Sequence, residues 1–260
     1  MRQSWGEFLR GAGAQAHGVQ IYGEPAELAD SVAAYVAAGF DREDPAVLVV
    51  TPANLELFEQ RLESRGWNVR AAQADGLLHV ADAEETLNEI VDADGPVDGR
   101  FDEVVGGLLD RVERPGRPVR VFGEMVDLLS HRGDLETACA LEERWNELAE
   151  KRSFALLCGY KLDVFAEHSQ VETLPQICSS HSHVLPARNY ARFARSVDEA
   201  LREVLGPNRA ATVYVLVSRT ATENHVPLAQ QILMWVTANL PKQSSEILAV
   251  ARARYLRPAA

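Results

Sequence analysis

The chain has 260 residues, 47% hydrophobic and 25% charged, enough for one full core and a smaller module and unlike the composition of a disordered chain. Its net charge of -12 repels nucleic-acid phosphates, and no basic stripe with interleaved aromatics offsets it, so direct nucleic-acid binding is not expected. Apolar runs such as residues 47–50 and 211–217 are far too short for a bilayer span, and Trp5 and Glu7 interrupt any signal-like segment, so a cytoplasmic protein without a membrane partner is expected.

Residues 1–15 read as a loosely ordered lead-in. Residues 17–23 alternate as a strand does, and 24–40 predict a helix with Leu28, Val32, Tyr35 and Val36 on one face and Pro25 in its first turn. Residues 46–50 form a continuous β-branched run, as in a strand covered on both faces. A helix over 52–66 and a strand over 77–81 follow, and Asp82 is placed to cap the next helix. After a turn-rich loop at 92–99 come a helix (101–112), a strand (118–122) and a helix (123–131) that breaks at Arg132 and Gly133. Asp134 caps a helix reaching about Arg152, and 154–159 is again a buried-type strand. Strands alternating with helices predict parallel βαβ units in a doubly wound, three-layer α/β sheet.

Beyond Tyr160 the pattern changes. Residues 161–186 look irregular, and from Asn189 onward the spacing is helical. Residues 210–218 fit a buried helix or a strand, and helical neighbours favour the helix. The domain reading is therefore a lead-in (1–15), an α/β body (16–186) and a small helical C-terminal module (187–260). That module carries ten Lys plus Arg against five Asp plus Glu, about +5, leaving about -17 on the rest.

In an open parallel sheet, ligands bind beyond the carboxyl ends of the strands. The first such place is Tyr22-Gly23-Glu24-Pro25. A phosphate-binding loop needs several glycines and then Lys and Ser or Thr, whereas IYGEPAELADS has one glycine, no lysine and the acids Glu24 and Glu27. No phosphate-loop or dinucleotide fingerprint occurs elsewhere, so a working nucleotide-hydrolysis site is not expected and no cofactor is assigned. The second place is Phe122-Gly123-Glu124, where Glu124 either accepts from a ligand or caps the following helix. Third, Glu142, Trp145 and Asn146 share a helix face, either lining a pocket or packing a Trp on the sheet with a polar rim. Fourth, Cys178, His181 and His183 are ligand types for zinc without the spacing that completes a site; the alternative is a polar turn, and no metal is assigned. His79, His131 and His225 carry no constellation. Cys139, Cys158 and Cys178, odd in number and widely spaced, fit reduced thiols.

The ordered segments HGVQIYGEPAELADSVAAYVAAGF, AVLVVTPANLELFEQRL, RFDEVVGGLLDRV, PVRVFGEMVDLL, LEERWNEL and FALLCGY resemble the MEDS domain, a sensory domain of methanogens, methylotrophs and a dichloromethane-responsive repressor. The resemblance implies a RecA-like fold with a decayed phosphate loop, a small organic ligand, and a protein signalling partner such as a kinase or transcription regulator. It puts His17, Tyr22, Glu124, Trp145 and Tyr160 near the pocket; Glu24, Phe122, Glu142 and Asn146 complete the expected ligand set. No helix-turn-helix, kinase or receiver module is recognisable, so the helical module is the expected route of output, and a homo-oligomer stays open. The favoured reading is a non-catalytic sensor. Its alternatives are an enzyme, as a residual ATPase or a zinc hydrolase built on Cys178, His181 and His183, and a ligand-free interaction scaffold.

Overall fold

The computed structural model describes residues 5–93, 95–97, 99–220 and 226–257; His225 lies outside them. The chain divides into two units, Met1–Lys161 and Leu162–Ala260. The first contains α1 (Trp5–Gly11), β1 (His17–Tyr22), α2 (Pro25–Phe40), β2 (Ala46–Val50), α3 (Pro52–Glu63), α4 (Val69–Ala74), β3 (Leu78–Asp82) and α5 (Ala83–Ile90). Then come β4 (Val91–Asp92), β5 (Gly95–Pro96), α6 (Arg100–Asp110), β6 (Val119–Gly123), α7 (Met125–His131), α8 (Leu135–Lys151) and β7 (Phe154–Lys161). Within this unit five strands pair in parallel in the order β3-β2-β6-β7-β1, and β4 with β5 forms a separate small hairpin. The expected three-layer, RecA-like α/β architecture is present.

Strands covered on both faces have no polar side to show, which is why β1, β2 and β6 are buried throughout. Alternate side chains enter opposite layers. Tyr22, Leu48, Val50, Phe122, Ala155 and Leu157 join α1 to α4 in one core. On the other face Trp145 of α8 meets Phe101 and Phe154 edge-on, with centroids 5.1 and 5.9 Å apart. Both anticipated caps form: Asp82 accepts from the Glu84 and Glu85 amides at 2.8 and 3.0 Å, and Asp134 from Thr137 N at 3.0 Å.

Two short helices depart from the sequence reading. The described part of the lead-in holds α1, whose Phe8 is fully buried, stacks on Tyr35 at 5.8 Å, and lies so close to Gly18 that a Cβ there would overlap its ring. Helices of this length are not stable alone, and packing on the sheet forms them. The same holds for α4, which interrupts the segment between α3 and β3.

In the second unit, residues read as irregular hold a π-helical turn (Ser169–Thr173), α9 (Leu174–Ser180) and β8 (His183–Leu185). Each is too short to show a period. The helices α10 (Tyr190–Leu205), α11 (Pro207–Thr220), α12 (Leu228–Asn239) and α13 (Pro241–Leu256) follow, so residues 210–218 are helical as favoured. Phe165, Phe193 and Tyr255 cluster with centroids 5.6 to 6.2 Å apart. Among the described residues, no helix is long and apolar enough to cross a membrane.

Arg120 of β6 ties the α1–α2 layer to the sheet. It is 1% exposed; Nη1 donates to Leu9 O at 2.8 Å and Tyr35 O at 2.7 Å, and Nη2 to Arg10 O at 3.0 Å. Its Nε stands 3.7 Å from Asp44 Oδ2, an ion pair rather than a hydrogen bond, and its guanidinium lies 4.7 Å from the Tyr35 ring centroid. Gly39 is required beside it, because a Cβ there would overlap the arginine stem. Replacing Arg120 by Met removes its three hydrogen bonds to these carbonyls and leaves Asp44 with Arg42 alone, and should cost about 3–5 kcal/mol in urea unfolding. A loss below about 1 kcal/mol, the range of an exposed pair, would show that Arg120 does not hold the layer.

Candidate functional site

From β2 the chain moves outward to β3, and from neighbouring β6 it moves the opposite way to β7, so the crevice between their carboxyl ends is the switch point of the sheet. Glu124 stands at this point. It does not cap α7 with its side chain. Instead Oε2 accepts from Thr51 N at 2.7 Å and Oε1 from Asn54 Nδ2, so the carboxylate of one strand end holds the helix start that follows its neighbour. One turn further, Asp127 accepts from Tyr22 Oη at 2.7 Å and from Lys161 N at 2.8 Å, and His131 Nδ1 lies 3.3 Å from its carboxylate. Glu124 is 3% and Asp127 4% exposed. Burial pushes both carboxyls above their ordinary range, more than the hydrogen bonds pull them down. The Tyr22 phenol is raised by burial first and by Asp127 second.

At the turn from β1 to α2 the backbone is engaged by a neighbouring acid. Gly23 N donates to Glu27 Oε2 at 3.3 Å, so an amide at the mouth of α2 is turned to a carboxylate, and Pro25 in the first turn offers no N–H. Glu24 is exposed and makes no capping bond with its side chain.

A second polar cluster lies on the opposite face of the sheet, under α8. His17 begins β1, and Cys158 and Tyr160 point to the same layer from β7, two residues apart. His17 Nδ1 meets Asn146 Oδ1 at 2.9 Å, while Nε2 is 3.2 Å from Glu142 Oε2 and 3.4 Å from Cys158 Sγ. Tyr160 Oη donates to Glu142 Oε1 at 3.0 Å. All but the half-buried Asn146 are buried. Burial, then Glu142, drives the Cys158 thiol and the Tyr160 phenol well above their ordinary values.

The expected ligand residues thus fall into separate settings. Tyr22 and Glu124 share the strand-end crevice, and His17, Glu142, Asn146 and Tyr160 share the cluster under α8. Trp145 packs beneath Gly123, Phe122 meets Phe58 edge-on at 5.2 Å in the other core, and Glu24 faces solvent. Cys178 is buried, with its thiol pushed up to about 12 by that burial, while His181 Nδ1 is engaged by Ile177 O at 2.6 Å and His183 Nδ1 by Ser182 Oγ at 2.9 Å. Among the described residues, neither Cys178 nor His183 belongs to a group of three ligating side chains. All three cysteines are free of disulfides.

Sequence reasoning passed over Thr51, Asn54, Asp127 and Cys158. The first three sit just past strand ends, where polar residues in the first helical turn carry a positional signal. Cys158 shares the period-two face of Tyr160 in FALLCGY.

Because Glu124 and Asp127 hold their protons more tightly folded than unfolded, the unfolded chain binds fewer protons as pH rises from about 4, and their contribution to stability falls. Glu124→Gln keeps the shape and removes one titrating group. Urea unfolding between about pH 4 and 7 should therefore show a less negative slope of stability against pH in the variant. An unchanged slope would mean that Glu124 titrates alike in both states.

The profile of the MEDS family, described as MEthanogen/methylotroph, DcmR Sensory domain, matches residues 16–182. No curated protein matches the chain. The matched span takes in the parallel sheet, the strand-end crevice and the cluster under α8, and the chain belongs to the MEDS family of sensory domains.

Proposed function

We propose that this chain is a non-catalytic sensor: a small organic ligand binds at the carboxyl ends of β1, β2 and β6, and the state of that site passes to a protein signalling partner such as a kinase or transcription regulator. A sensory role follows from the family. The observation that supports this ligand site is the setting of Glu124, a buried carboxylate whose partners there, the Thr51 amide and the Asn54 side chain, are neutral donors. A ligand hydroxyl or ammonium that takes the place of Asn54 gains a charge-assisted hydrogen bond and frees a side chain in the first turn of α3. A triphosphate meets Glu124, Asp127 and Glu27 at the same strand ends and is repelled. Support for a partner comes from α11, which exposes Val215 and Leu216 at 56% and 43%.

The test is a thermal-shift screen of small alcohols, amines, halogenated methanes and nucleotides. A binding organic compound at about one hundred times its Kd adds about 2.7 kcal/mol, or about 5–10 °C in Tm, and Glu124→Gln removes the shift. If none of the organic compounds shifts the transition, or the shift survives in Glu124→Gln, the strand-end ligand site is wrong.

A further inference from the structure

We propose that His17, Glu142 and Cys158 are ligands of a zinc-type divalent cation, held between the sheet and α8 and separate from the strand-end crevice. Their ligating atoms converge: His17 Nε2, Glu142 Oε2 and Cys158 Sγ lie mutually 3.2, 3.4 and 3.8 Å apart. Tetrahedral zinc, with bonds of about 2.0 Å to nitrogen and oxygen and about 2.3 Å to sulfur, sets its ligand atoms about 3.3 Å (N to O), 3.6 Å (N to S) and 3.5 Å (S to O) apart. The triangle therefore has the size of one face of a zinc tetrahedron before any cation is placed in it.

The surrounding bonds point the same way. Asn146 Oδ1 accepts from His17 Nδ1, which holds the ring with Nε2 turned toward the carboxylate and the thiol. Nε2 faces a carboxylate oxygen at 3.2 Å, a separation that a shared proton or a metal cation between the two can occupy. Tyr160 holds the other carboxylate oxygen at 3.0 Å, so Oε2 is the oxygen aimed at the centre. A histidine oriented through its second nitrogen and a carboxylate oriented through its second oxygen are the supports that metal ligands have.

Charge balance favours the same reading. In this dry layer a dication with one thiolate, one carboxylate and one neutral imidazole sums to zero, the balance a buried site needs, and Glu142 is 1% exposed. Metal binding releases the Cys158 thiol proton to solvent. A thiolate with imidazole and carboxylate suits zinc over magnesium or calcium, which take oxygen ligands.

The test uses the full chain. After loading with zinc and gel filtration, mass spectrometry should find about one equivalent bound, and less than about half an equivalent would overturn the site. Cobalt(II) in place of zinc should give intense tetrahedral ligand-field bands and a thiolate-to-cobalt charge-transfer band. The charge-transfer band should vanish in Cys158→Ser and persist in Cys139→Ala and Cys178→Ala, with circular dichroism confirming that each variant is folded. A wild-type cobalt complex without the charge-transfer band, or a band that survives in Cys158→Ser, would also overturn it. Because the readout is metal content and spectrum, its failure leaves the strand-end ligand site standing, and failure of the ligand screen leaves the metal site standing.

Discussion

A carboxylate taken out of water must be met by donors, and the α/β body of this protein buries Asp44, Glu124, Asp127 and Glu142. Each is answered from a different element of the chain. Asp44 faces Arg120 and Arg42, Glu124 just past β6 is met from the start of α3, Asp127 on α7 from β1 and the end of β7, and Glu142 on α8 from β1 and β7. Apart from Arg42 to Asp44, these bonds join elements remote in sequence, so the folded arrangement of strands and helices is what brings each buried acid to its donors. Apolar packing supplies the driving force for collapse; the buried acids then tie strand ends to helix starts across the sheet.

The same constraint accounts for what the body has in place of a nucleotide site. A triphosphate needs free amides and cations at the strand ends. Here the Gly23 amide is turned to Glu27, and Glu124 and Asp127 stand past the carboxyl end of β6. A RecA-like sheet keeps its crevice because the crevice follows from topology, whereas the chemistry at its rim depends on a few side chains.

How much of this was legible in the sequence varied with the length of the signal. The alternation of strands and helices gave the three-layer sheet, because runs such as AVLVV and FALLCGY are long, apolar and bounded by turns. Helix α1 and the elements between residues 162 and 186 were hidden, since their few residues carry no period and they form through packing. At the site, Glu124 and Tyr22 were readable as residues at the ends of two strands, β6 and β1. Their partners were not: the bonds from Asp127 to Tyr22 and from Glu124 to Asn54 span 105 and 70 residues, and nothing local in TPAN or EMVD announces them. The grouping of His17 with Glu142 and Cys158 was likewise invisible, because it forms only once β1 and β7 pair in register and α8 lies across them.

Carboxylates at the strand ends leave no cradle for a triphosphate on the reading proposed above, and magnesium-ATP is the ligand that probes this. Calorimetric titration of the purified chain should show no saturable heat, and a coupled phosphate-release assay no turnover above buffer. Tight, magnesium-dependent ATP binding accompanied by hydrolysis would contradict the account.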